Sequence, residues 1–186
     1  MFSNIVQYIS IKTSGKKVLI FLAPTLAVYL TMLFYSIPKV LEYSGGMKIL
    51  DLIPTGYNTE YAQRLLETLG ETGREIYSFQ QIPLDMIYPG LFAVSFSLLL
   101  ALLLKKTFPL TSEIQNLAII PIFVGLFDYM ENIGIIIMLT SYPDFYAWVA
   151  SITNIFSISK SLLTTIVFVL IIISLVRIFV RKILKQ

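Results

Sequence analysis

Four ionisable residues, Asp85, Asp128, Glu131 and Lys160, stand within or at the edge of long apolar stretches. Carboxylates and an amine can pair as ions, hold a cation or exchange a proton. A charge in hydrocarbon is expensive, so such groups face a protein interior and find partners there. Their spacing agrees with that. Asp128, Glu131 and Asn132 fall at i, i+3 and i+4, on one side of a helix. Thr153, Ser157, Lys160 and Thr164 recur at intervals of 4, 3 and 4, a polar seam along one helix face. Asp85 and Tyr88 share a face, with Pro89-Gly90 just beyond as a kink. Three carboxylates against one lysine leave excess negative charge, which calls for a protonated acid or a bound cation.

Other chemistries are excluded. The chain has no cysteine and no histidine. That removes disulfides, thiolate nucleophiles, the Ser-His-Asp triad and the usual zinc and haem ligands. Any metal would be a hard cation held by oxygens, and no cofactor is called for. A D-Y-M-E-N stretch spans Asp128 to Asn132, but the repeated D-x-x-x-D of lipid-headgroup and prenyl transferases is absent. So are the C-x-x-C of vitamin K epoxide reductase-like proteins and the W-G-L-W of claudins.

The elements that carry these residues follow from composition. Of the 186 residues 56% are hydrophobic and only 13% charged, with mean hydropathy +0.80. The apolar residues gather in runs of about 20, the length a helix needs to cross a hydrocarbon core. Four spans are expected, over 18–37, 83–104, 114–140 and 156–179. The last lies within the apolar stretch from Tyr146 to Phe179, and the third opens with a start signal at Ser112 and Gln115. Pro24, Pro89 and Pro121 read as kinks within the spans. The fold class is therefore all-α, a four-helix membrane bundle in one domain. No signal peptide is expected, because the first apolar run is too long and lacks an A-x-A site.

Orientation follows from charge. Lys12, Lys16, Lys17, Lys105, Lys106, Arg177, Arg181, Lys182 and Lys185 fall on one side of a four-span chain. Both termini are then expected to be cytoplasmic. The net charge of +3 is thus a topological bias, and no nucleic-acid partner is expected. The 38–82 loop is expected outside, as a helical lid. Asn58 can cap a helix with Tyr61, Leu65, Leu66 and Leu69 as its apolar stripe and Gly70 as its stop. Thr72 and Glu75 match a capping box for a second helix that feeds the second span near Pro83. Arg64 and Arg74 are expected to pair with Glu60, Glu67 or Glu71. Tyr35, Tyr142, Tyr146 and Trp148 suit an aromatic belt.

A rise of 1.5 Å per residue puts Asp128 about 20 Å, Glu131 and Lys160 about 25 Å and Asp85 about 30 Å from the basic end. Matching depths on three helices point to one outward-facing polar pocket above a dry inner half, with Lys160 within salt-bridge reach of Asp128 or Glu131. The ligand-binding set is Asp128, Glu131, Asn132, Lys160, Asp85, Tyr88, Ser157 and Thr164. The leading function is binding of an ion, a proton or a small polar ligand, a lipid headgroup among them. One rival is an accessory subunit of a membrane complex whose buried charges serve assembly only. The other is an intramembrane lipid enzyme using Asp128 or Glu131 as acid or base. Partners are membrane lipids and, for an assembly role, a second copy or another membrane protein.

Overall fold

The structure is a computed structural model that describes residues 12–184. Among the described residues every regular element is helical. Four helices are long and apolar enough to cross a membrane: α1 (Gly15–Leu41), α2 (Thr59–Thr107), α3 (Glu113–Ser141) and α4 (Ala147–Ile183). Each expected span lies inside one of them, so hydrophobic run length located the elements. It underestimated two of them. The sequence places the second span from Pro83, whereas α2 begins at Thr59 and runs on through a π turn at Tyr77–Gln81. Pro83 sits at the start of the following α-helical stretch, where its missing N–H costs little. The second helix of the loop, after Gly70, therefore runs on into the second span, as expected. α4 likewise extends beyond 156–179 at both ends.

The helix signals hold in detail. The Asn58 side chain accepts from Tyr61 N–H at 2.8 Å, capping α2. Gly70, at φ 61° and ψ −173°, breaks the rod between an amphipathic first part and the apolar remainder. Leu65, Leu66 and Leu69 are buried, as their stripe requires. Pro121, expected as a kink, instead occupies the first α-helical turn of α3, which opens as a 3-10 helix over Glu113–Ile119. Pro24 and Pro89 do lie inside α1 and α2.

Two ends of the bundle are chemically distinct. At the basic end Lys105 donates to the Thr13 carbonyl at 2.5 Å, Arg181 donates to that of Lys106 at 3.3 Å, and Arg177 stacks over Phe108. Lys185, expected with this group, lies outside the described residues. The opposite end is the loop end. There Val40, Ile49, Leu50, Leu65, Leu66, Leu69 and Tyr77 form one apolar core with Ile135, Met138 and Val149 of α3 and α4. Arg74 is not ion-paired as expected. Its guanidinium donates to the Leu66 carbonyl at 2.8 Å and covers the Tyr142 ring at 3.8 Å from its centroid. The carbonyls freed by the break at Gly70 compete for it, and they are nearer than the glutamates on the solvated face.

Packing among the helices is uneven. α3 packs against α4 and α2, and α1 packs on α2. The α3–α4 approach is close because Gly134 faces Thr153, and a Cβ there would overlap the threonine side chain. Gly125 similarly abuts the Pro89 carbonyl of α2. These contacts bring the acidic turn of α3 hard against the polar seam of α4. Between α1 and α4 the bundle instead leaves a cleft lined by Thr25, Leu26, Tyr29, Thr164 and Phe168, floored by Tyr88, Phe92 and Phe96 of α2.

Candidate functional site

The polar seam of α4 turns toward α3, and the reason is burial. Thr153 and Ser157 are nearly inaccessible, while Ile152, Ile155, Ile158 and Leu162 on the other faces are exposed. Lys160 follows on the same seam. Its ammonium lies 3.0 Å from Asp128 Oδ1 and also pairs with Glu131. The three side chains are 17%, 6% and 1% exposed, respectively, so the charges are matched in a poorly solvated place. Ser157 donates to Glu131 from one turn along α4. Asn132 donates through Nδ2 to the Asp85 backbone carbonyl at 2.8 Å, tying α3 to α2 below the kink-prone Pro89.

A cavity of about 300 Å³ opens beside this cluster. Its wall includes Asp85, Tyr88, Asp128, Lys160 and Thr164, five of the eight residues expected at a ligand site. Glu131, Asn132 and Ser157 do not line it. They lie behind the wall, on the α3–α4 and α3–α2 contacts, and act on each other and on Lys160. Their helix face was read correctly, but i, i+3 and i+4 neighbours span more than one contact. Asp128 falls toward the cavity and the other two fall toward the adjoining helices.

The main residue missed is Asp51. It belongs to the 38–82 loop, yet it lines the cavity together with Leu52 and Pro54. The loop reaches this position because Gly56, at φ 84°, lets the backbone lie against Asn154 and Ile158. Asn154 Oδ1 then accepts from Tyr57 N–H at 2.7 Å, fastening the loop to α4. Tyr77 OH donates to Asp51 Oδ2 at 3.0 Å. Thus the expected opening toward the loop is partly roofed by 51–54. A weak signal was available: Asp51 is flanked by Ile49, Leu50, Leu52 and Ile53, an apolar run too short for a span but suited to a buried turn. Gln81 was also missed. It is buried at the cavity, accepting from Ser36 at 2.5 Å across α1 and α2.

The cavity therefore gathers Asp51, Asp85 and Asp128 beside one ammonium, with Glu131 behind it. Among the described residues both ion pairs use Lys160. Asp51 Oδ1, Asp85 Oδ2 and Gln81 Nε2 are buried and hydrogen-bond to no protein atom. Burial pushes the Asp51 carboxyl up to about 7, and the nearby Glu131 charge adds to that push. Comparison with protein-family models, curated proteins and solved structures finds no match to this chain.

The cavity adjoins the α1–α4 cleft. Tyr29, Tyr88, Phe92 and Thr164 line both spaces. A chamber that carries three aspartates and Lys160 thus lies beside a mostly apolar cleft between α1 and α4.

Two outcomes are expected. Lys160→Met leaves two buried carboxylates without a cation and should cost about 3–5 kcal/mol of stability. Adding Glu131→Leu and Asp128→Asn should restore most of it, because an apolar replacement of the whole group can be nearly neutral. Denaturant unfolding in detergent, followed by circular dichroism, measures both; a Lys160→Met chain of wild-type stability would show that the ion pairs do not support the fold. The second outcome concerns Asp51. The unfolded chain releases this proton near 3.8 and the folded chain near 7, so its effect is loss of stability as pH rises across that window. Asp51→Asn should keep the Tyr77 bond and gain on the wild type from the lower to the upper limit, with a constant difference above it. Parallel melting-temperature profiles would contradict this placement of Asp51.

Proposed function

We propose that this chain is a multi-pass membrane protein that binds an amphiphilic lipid, its polar head in the acidic chamber and its tail in the α1–α4 cleft. The observation that carries this reading is the shared wall of Tyr29, Tyr88, Phe92 and Thr164 between the two spaces. A chamber for an ion alone has no need of an apolar continuation. A cluster serving assembly alone has no need of a cavity, and the buried pair of Lys160 with Asp128 and Glu131 already supplies the structural role. Ligand sites are concave and mostly apolar with a few convergent polar groups, which is the composition of this space. The tail would replace bilayer contacts with similar ones on Leu26, Phe96 and Phe168, so selectivity resides in the head.

In this arrangement the termini are cytoplasmic and the loop end faces outward. Eight described lysines and arginines support the sidedness: Lys12, Lys16, Lys17, Lys105, Lys106, Arg177, Arg181 and Lys182 all fall at the basic end. The exposed Tyr35, Tyr146 and Trp148 near the loop end suit the outer headgroup level. The lipid head is then held in the outer half of the bilayer, beneath the 51–54 roof.

Sidedness is tested by single cysteines, which are unambiguous in a chain that has none. Glu71→Cys should react with an impermeant maleimide on intact cells, and Lys182→Cys only after permeabilisation. Both positions are exposed, and labelling from the same side would overturn the arrangement. Lipid binding is tested by native mass spectrometry of the chain extracted in mild detergent. A retained amphiphile is expected, and Thr164→Trp, which fills the junction of chamber and cleft, should lower retention about tenfold or more, a loss of about 1.4 kcal/mol. No retained amphiphile, or retention indifferent to Thr164→Trp at unchanged thermal stability, would refute the binding role.

A further inference from the structure

The chamber gathers more carboxyl groups than the single ammonium beside them can pair. Asp128 and Glu131 share the Lys160 ammonium, and Asp51 and Asp85 have no ion-pair partner among the described residues. The imbalance is directed. Asp85 is 4% exposed and lines the cavity, and its Oδ2 is buried without a hydrogen-bond partner. Asp51 presents Oδ1 in the same condition from the roof, its Oδ2 being held by Tyr77. Two residues from different elements thus line one space, each carrying an unpaired acceptor oxygen. Buried acceptors left unpaired are costly, and a ligand that supplies donors removes that cost. Around them stand the rings of Tyr29, Tyr88 and Phe92, with Tyr29 and Tyr88 at 5.8 Å between centroids. Aromatic faces favour a cation and disfavour an anion.

Resting on the lipid-binding reading, we infer that the head held in this chamber is a protonated primary amine, bound between Asp51 Oδ1 and Asp85 Oδ2. A primary ammonium brings both the charge and the N–H donors. A quaternary ammonium brings only charge, and an alcohol brings a donor without charge. A phosphate or carboxylate head would bring further acceptor oxygens and negative charge against the carboxyl groups of Asp51 and Asp85. Lys160 does not compete for the two oxygens because its ammonium is held by Asp128 and Glu131. The tail leaves the amine past Tyr88 and Phe92 into the α1–α4 cleft. Gln81 also lines the cavity, and its unpaired Nε2 is a donor available to an oxygen on the head.

The test uses the full chain in nonionic detergent, titrated with hexadecylamine, hexadecyltrimethylammonium, 1-hexadecanol and hexadecyl phosphate, with adducts counted by native mass spectrometry. Hexadecylamine should bind at least about tenfold more tightly than the other three, the worth of one or two charge-assisted hydrogen bonds. Asp51→Asn and Asp85→Asn should each remove most of that preference while leaving the weaker binding of hexadecanol in place, and Asp51→Glu should recover part of it. Asp51 lies on the loop, so its variants keep the test available if Asp85→Asn does not fold. Equal binding of all four amphiphiles, or a preference unchanged in both Asp51→Asn and Asp85→Asn, would overturn the amine head and leave lipid binding standing. Binding of none of them would instead remove the lipid-binding reading beneath it. Methylamine distinguishes a lipid-borne amine from a free one. Weak or no binding is expected, and binding as tight as that of hexadecylamine would overturn the lipid origin of the head.

Discussion

The ammonium of Lys160 between Asp128 and Glu131 is the interaction on which the rest of the structure depends. Two carboxylates on adjacent turns of α3 would repel each other and resist removal from water. One lysine on α4 makes their burial tolerable, and only one rotation of each helix brings the three groups together. Gly134 against Thr153 permits the close approach that this pairing needs, so packing and charge fix the same register. With α3 and α4 locked, Asn132 can reach across to the Asp85 carbonyl and set the position of α2.

That arrangement separates two kinds of acidic residue that look alike on paper. Glu131 is neutralised within the protein, bound by Lys160 and Ser157 behind the cavity wall. Asp85 and Asp51 face the cavity and are left with acceptor oxygens to offer. Asp128 stands between, touching both the ammonium and the cavity. Under the proposed binding role, the structural and ligand-binding readings of these charges are complementary, each applying to different members of the group.

The loop joins the site through a chain of local necessities. Ile49 and Leu50 insert into the apolar core above α3 and α4, which carries Asp51 down with them. Asn154 then fixes Tyr57 on the return, and Asn58 starts α2 immediately afterwards. Meanwhile α1 is tied to α2 by the Thr25–Ser95 and Ser36–Gln81 hydrogen bonds. Its remaining side is free to form one bank of the cleft facing α4. This looser placement of the fourth helix leaves an apolar cleft beside the chamber.

The sequence by itself determined the helical class, the four long apolar helices, the caps at Asn58 and Gly70, and the encounter of Lys160 with Asp128 and Glu131. These are legible because they depend on run length, on cap chemistry and on the 3.6-residue period, all of which are local. The end points of α2 and α4 were less legible, since helical propensity continues past the apolar limits that a span requires. Only the tertiary structure decided that Asp51 belongs to the site, that Glu131, Asn132 and Ser157 stand behind it, and that Arg74 serves a helix break in place of an ion pair. Each depends on which element a side chain meets after a loop has folded back or a helix has rotated. A loop residue carries no periodicity to place it, and a helix face about 100° wide can serve a neighbour on one edge and a cavity on the other.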